Sequence, residues 1–305
     1  MCIRDCSSVA PATVGSSSPH AAATTTVTAC PGATRRRWRR WGMEREPSAA
    51  PACSPCMMDT MTSSDAALGP LPTDFAAGRR DHHRLAYSVV AEARRLATGR
   101  FGLRSVPGGS GTPVFDDPVR GVTVTVGVSG ADLVVTRDGH ARSAPITTLR
   151  AAADHVGIEP GTTAAEHDSP PLGDVDQPLV ATSEIGRALD AWFAVGWAAL
   201  EVLRATPGAV DPDVTQLWPG HFDAATAIGD VDAGRRATYG VSPGDDAHPE
   251  PYVYVGAWGG VDDDPFWNAT AFAGALLPHE DVVAADDATA TVLGFLREGY
   301  RRLNG

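Results

Sequence analysis

Lysine is absent from the 305 residues, so every permanently basic side chain is an arginine. Sulfur is confined to one end. The five cysteines (Cys2, Cys6, Cys30, Cys53, Cys56) precede residue 57, and the five methionines end at Met61. The remainder has no thiol, which excludes disulfides and a cysteine nucleophile from it. Without lysine there is no GxxxxGK[ST] phosphate loop, and the glycines between Gly102 and Gly111 do not open a helix as GxGxxG does. No cofactor is expected. No stretch reaches the ~18 apolar residues of a membrane span; the longest run, 191–200, is bounded by Asp190 and Glu201. The net charge of −12 argues against nucleic acid and anionic membrane as partners, because both select basic surfaces. These absences describe a soluble, cytoplasmic protein.

Residues 1–60 are rich in Ala, Ser, Thr and Pro and show neither a 3.6 nor a 2 period. They read as a disordered or spurious extension, with translation starting at Met57, Met58 or Met61. Cys53-Ser54-Pro55-Cys56 has no second CxxC to complete a zinc site, and no apolar segment follows the basic run at Arg35–Arg40. Past residue 60 the chain holds 18 arginines against 33 acidic residues. It divides by pattern into a first half at 61–158, a Pro-rich linker at 159–180 and a second half at 181–305.

In the first half, Asp81 is expected to cap a helix from His82 to about Thr98, with Leu85, Val89, Ala93 and Leu96 as its apolar stripe and Gly99 as its stop. Val122, Val124, Val126 and Val128 alternate with threonines as in a half-buried strand. Asp138-Gly139 is a hairpin turn, and Thr147 caps a helix ending at Gly157. In the second half, Thr182 or Ser183 caps a helix running to about Arg204. Asp286 or Asp287 caps a last helix from Ala288 to Leu303. Helix, irregular Pro-Gly segment, antiparallel strands and helix thus occur twice. The expected fold class is α+β, with two similar halves packed into one globular body.

The densest mixture of aromatic, acidic and turn residues lies at 217–258. With a period of two, His221, Asp223, Ala225 and Ala227 share one face of a strand. Ala237, Tyr239 and Val241 share a face of the next. A third, from Tyr252 to Trp258, has Tyr252, Tyr254 and Trp258 on one face and Val253, Val255 and Ala257 on the other, and is expected to be central and covered on both sides. Segment 242–251 (Ser-Pro-Gly-Asp-Asp-Ala-His-Pro-Glu-Pro) is an irregular loop. His221, Asp223, Asp245, Asp246, His248 and Glu250 have the side chains to bind an ion or move protons. Acidic residues in such loops more often cap turns or face water, and His221 lacks the paired-histidine spacing of a zinc motif.

The segments Gly102-Leu103-Arg104, Leu217-Trp218-Pro219-Gly220-His221-Phe222-Asp223, Tyr239-Gly240-Val241-Ser242-Pro243-Gly244-Asp245, Glu250-Pro251-Tyr252-Val253-Tyr254-Val255 and Phe266-Trp267-Asn268-Ala269 resemble, in order, a set of uncharacterised actinobacterial proteins. The likeness covers about residues 80–303 and implies no activity. Three functions compete. The first is a non-enzymatic protein binding a small molecule or protein partner through His221, Asp223, Tyr239, Asp245, Asp246, Glu250, Tyr254, Trp258 and Trp267, with Trp218 and Tyr252 also able to line a cleft between halves. The second is a metal-assisted hydrolase at 221–250. The third is a structural or assembly protein. Asp223 is expected to hold its loop by accepting backbone N–H groups.

Overall fold

The computed structural model describes residues 68–106, 109–161 and 171–305. The expectation for residues 1–60 lies outside these, as does much of the linker. Among the described residues the chain is α+β, with helices packed on two antiparallel sheets.

The first helical stretch begins earlier than the sequence suggests. It comprises α1 (Phe75–Leu85), a π-helical turn (Ala86–Ala91) and α2 (Glu92–Thr98), ending at Gly99 with φ 72°. Asp81 is inside the helix, not at its cap. Its carboxylate accepts the Val180 N–H at 2.7 Å and pairs with Arg84 at 3.3 Å. Leu85, Val89 and Ala93 are buried as the stripe requires, but Leu96 is exposed. Arg79, His82 and His83, one turn before the stripe, are buried as well.

The first sheet contains β1 (Arg104–Val106), β2 (Gly109–Gly111), β3 (Phe115–Asp117), β4 (Val122–Ser129), β5 (Asp132–Arg137) and β6 (His140–Pro145), in the order β1-β2-β4-β5-β6 with β3 also paired to β4. Val124, Val126 and Val128 are buried, so the alternation of β4 sets its core face. Asp138 and Gly139 both have positive φ, 45° and 81°, as a tight two-residue hairpin requires. Helix α3 (Leu149–Val156) is capped by Thr148, whose Oγ1 accepts the Ala151 N–H at 3.1 Å.

Helix α4 (Ser183–Arg204) has the expected cap, the Thr182 Oγ1 accepting the Ile185 N–H. The second sheet is β7 (Gln216–Trp218), β8 (Asp223–Ile228), β9 (Ala237–Ser242), β10 (Tyr252–Ala257) and β11 (Gly274–Pro278), in the order β11-β10-β9-β8-β7. Helices α5 (His279–Val283) and α6 (Ala288–Asn304, capped by Asp287) close the chain. The sheets meet at their edges, where Leu103 and Leu217 exchange both backbone hydrogen bonds at 2.9 Å.

Glycines let α4 and α6 lie close to the strands. A Cβ on Gly186 would stand 2.3 Å from the Gly130 carbonyl in the β4–β5 turn, and one on Gly196 would stand 2.2 Å from Val241 in β9. A Cβ on Gly299 of α6 would stand 2.8 Å from Val255 in β10. Helix α4 therefore touches both sheets. Among the described residues no helix is long and apolar enough to cross a membrane.

Candidate functional site

The second sheet has two unlike faces, because side chains alternate along each strand. Register puts Thr226, Tyr239 and Val255 opposite one another on the helix-covered face. Tyr239 is fully buried there, its ring 6.3 Å from that of Tyr300 in α6. The other face carries Asp223, Ala225, Gly240, Ser242, Tyr252 and Tyr254. Its apolar members, Ala225, Tyr252 and Tyr254, form a cluster separate from the main core, with Phe272 and Leu276 beside them.

Gly240 decides the geometry of this face. A Cβ there would stand 2.5 Å from Tyr254 Cζ, so the missing side chain lets the Tyr254 ring lie across β9. The ring spans from β10 to β8, and its hydroxyl donates to Asp223 Oδ2. Tyr252, one pleat away, donates its hydroxyl to Asp245 Oδ2 at 2.9 Å. The two tyrosine rings are 6.2 Å apart.

Asp223 is the first residue of β8 and is only 8% exposed, and among the described residues its Oδ1 has no hydrogen-bond partner. Burial pushes its carboxyl above the usual range, against the opposing effects of His221 and the Tyr254 hydrogen bond. Burial, followed by the adjacent Asp223 charge, likewise holds the Tyr254 hydroxyl well above the ordinary tyrosine range. Among the described residues no N–H of the preceding loop donates to Asp223; its own backbone N–H is the one that favours the carboxylate. The turn before β8 is held instead by His83 of α1. Its Nε2 lies 2.8 Å from the Pro219 carbonyl and 3.1 Å from the Gly220 carbonyl, so it carries the proton and donates to both. The imidazole also stacks on Phe222 at 5.2 Å.

Phe222 has φ 57°, a left-handed conformation that few non-glycine residues adopt. It buries the Phe222 ring against Phe193 and leaves His221 exposed in the turn, outside β8. His221 and Asp223 therefore do not share a strand face, although His221 remains near enough to act on the carboxylate.

The loop after β9 is ordered by its own polar groups. Asp245 Oδ1 accepts the Ala247 and His248 N–H groups at 2.7 and 2.8 Å, and the Asp245 N–H donates to the His248 carbonyl at 2.7 Å. Buried Arg79 donates to the Gly244 carbonyl at 2.9 Å, and Trp192 donates to the Ser242 carbonyl at 2.8 Å. Asp245 thus closes the loop. Asp246, His248 and Glu250 are exposed at its tip, with Asp246 3.7 Å from Arg79.

The remaining aromatic candidates lie apart. Trp258 follows β10, is 58% exposed and receives Arg236 over its ring at 5.3 Å. Trp267 packs edge-on against Phe266 at 4.8 Å. Trp218, partly exposed, meets Phe101 at 6.5 Å. A cleft of about 820 Å³, bordered by Leu71, Thr182, Ile185, Ala188, Trp192 and His279, includes neither Tyr239 nor any of these three tryptophans.

Among the described residues, no three or more His, Cys, Asp or Glu side chains are grouped to hold a metal ion. The acidic loop and Asp223 offer carboxylates, but not as one ligand set. No family model, curated protein or solved structure matches the chain, so the site rests on its geometry. Asp223, Tyr254 and Asp245 are among the residues that the sequence suggests as candidates. Arg79 and His83 are not among them, because they precede the apolar stripe that marks the core face of the first helical stretch.

Proposed function

We propose that this chain is a ligand-binding α+β protein without catalytic activity, and that its site is the Asp223 end of the second sheet. One observation carries the reading. Asp223 is buried, keeps one carboxylate oxygen without a partner and has the other held by Tyr254. An unpartnered buried polar atom costs about 1–3 kcal/mol, and a bound ligand, ion or water is what would offset it; Arg79 Nε, His82 Nε2, Arg94 Nε, Thr215 Oγ1 and Tyr239 Oη share the feature, and Asp223 is the carboxylate among them. Asp223 sits where β8 begins, Ser242 where β9 ends and Tyr252 where β10 begins. These three strand ends are neighbours in the sheet, and the adjoining loop tips at His221 and 246–250 are exposed.

A thermal-shift screen of wild type and Asp223→Asn against metabolites and divalent metal salts tests this. The expected result is a class of small organic compounds that raises the wild-type melting temperature by several degrees and has little effect on the variant. A panel that stabilises neither protein, or both equally, would remove the site. Stabilisation by a metal salt alone, dependent on Asp223, would favour a metal-assisted hydrolase instead.

A further inference from the structure

We propose that the cleft between α4 and the segment preceding α1 is a second binding site, and that it takes an uncharged, largely apolar molecule carrying a hydroxyl group. Its volume of about 820 Å³ lies within the roughly 300–1,000 Å³ of small-molecule sites. Asp223 does not border it, so this site stands or falls separately from the one proposed above.

The lining differs with depth. Ile185, Ala191 and Trp192 of α4 are buried at the cleft, as are Pro251 before β10 and His279 after β11. Leu68, Leu71 and Ala188 are half-buried and extend the apolar wall. The charged members, Asp74, Glu184 and Arg187, are all exposed, which places them at the rim.

Most polar atoms of the floor are already used. Trp192 Nε1 donates to the Ser242 carbonyl at 2.8 Å, and the His279 backbone N–H donates to the Pro251 carbonyl at 3.0 Å. The His279 imidazole is the exception. It is 7% exposed and lies 5.5 Å from the Trp192 ring, and among the described residues it makes no hydrogen bond. A buried polar side chain that borders a cleft without a partner is where a ligand supplies one.

The same group selects the ligand. Burial keeps the imidazole below the usual histidine range, against the opposing effect of Glu250, so it is neutral at pH 7. A neutral imidazole has one N–H donor and one acceptor nitrogen. A hydroxyl can meet either nitrogen, because it donates and accepts; a carboxylate only accepts and an ammonium only donates. A charged group brought to this floor would also lose its hydration with no opposite charge beside it. The rim charges are of both signs and stay in water, where they are screened.

The probes are 2-phenylethanol, phenylacetate and phenethylamine, which share a body and differ in charge. Full-length protein labelled at its histidine ring nitrogens is titrated with each at pH 7 by NMR, and His279→Phe identifies the His279 signals. 2-Phenylethanol is expected to move those signals to saturation, and the charged probes to bind about tenfold more weakly or worse. His279→Phe keeps a ring beside Trp192 and should weaken binding of the alcohol roughly 2- to 10-fold, the loss of one neutral hydrogen bond, read by tryptophan fluorescence. Ala188→Phe fills the cleft from α4, leaves His279 in place and should abolish the response. Asp223→Asn should leave it unchanged. A charged probe that binds as well as the alcohol, or a response that survives in Ala188→Phe, would overturn the proposal. No movement of His279 with any of the three would leave the cleft to water and overturn it too. A response lost in Asp223→Asn but kept in Ala188→Phe would remove this site and support the Asp223 reading. Should His279→Phe fail to fold, Ala188→Phe alone decides.

Discussion

The chain enters β8 through Phe222, and the residues on either side of it divide the labour of the turn. Its left-handed backbone sends the ring into the core and leaves His221 outside, so the expected His221–Asp223 strand face does not form. A two-residue period is legible in sequence, but a positive φ at a phenylalanine is not, since only the surrounding packing enforces it. His83 supplies part of that packing. His83→Ala removes two hydrogen bonds to the turn and a stacked ring, and is expected to destabilise by roughly 2–4 kcal/mol in denaturant melts. Burial lowers the pKa of both His82 and His83 to about 4. An unfolded histidine titrates near 6.5, so the unfolded chain takes up protons first as the pH falls. Their stabilisation is therefore complete above about pH 6.5 and is lost between there and about pH 4. Replacing His82 with Gln should flatten this acid-side loss of melting temperature. An unchanged slope between pH 6.5 and 4 would show that His82 is not a titrating contributor.

Helices were the most legible elements, because caps and the 3.6 period agree. Thr182, Asp287 and Gly157 each mark the boundary that the structure shows. The start of α1 was not legible, because Arg79, His82 and His83 occupy buried positions where an apolar residue is the usual sign of a core face. Strands β7 and β3 are too short to show alternation and exist only through their partners. The glycines of α4 carry the clearest prediction at this scale. In isolation each would weaken a helix, yet Gly186 and Gly196 are where the helix rests on the first and second sheets. Gly186→Ala and Gly196→Ala should gain helix propensity and still each lose about 1–3 kcal/mol, because a Cβ meets the Gly130 backbone in one and Val241 in the other. A rise in melting temperature for either would show that the contact yields. Gly240→Ala acts differently: it displaces the Tyr254 ring and should weaken the link to Asp223 along with the fold.

At the scale of the molecule, α4 and the Leu103–Leu217 pairing tie the two sheets together. Segments 61–165 and 175–305 expressed separately are therefore expected to lack cooperative melts. Two independent, cooperative transitions would contradict this. Burying Asp223 with an oxygen unpartnered sets local function against global stability, a common tension at binding sites. Its raised carboxyl pKa means that the folded state holds this proton more tightly than the unfolded state does. The contribution is favourable at low pH and is lost as the pH rises through the raised value. Asparagine keeps the shape and an acceptor for Tyr254 without the charge. The most direct measurement is the melting temperature of wild type and Asp223→Asn, without ligand, at a series of pH values from 5 to 8. The variant should be the more stable at pH 8, by about 1–3 kcal/mol, with the difference shrinking toward pH 5. A variant less stable than wild type by a similar amount at every pH would make Asp223 a structural residue and remove the basis for a binding site there.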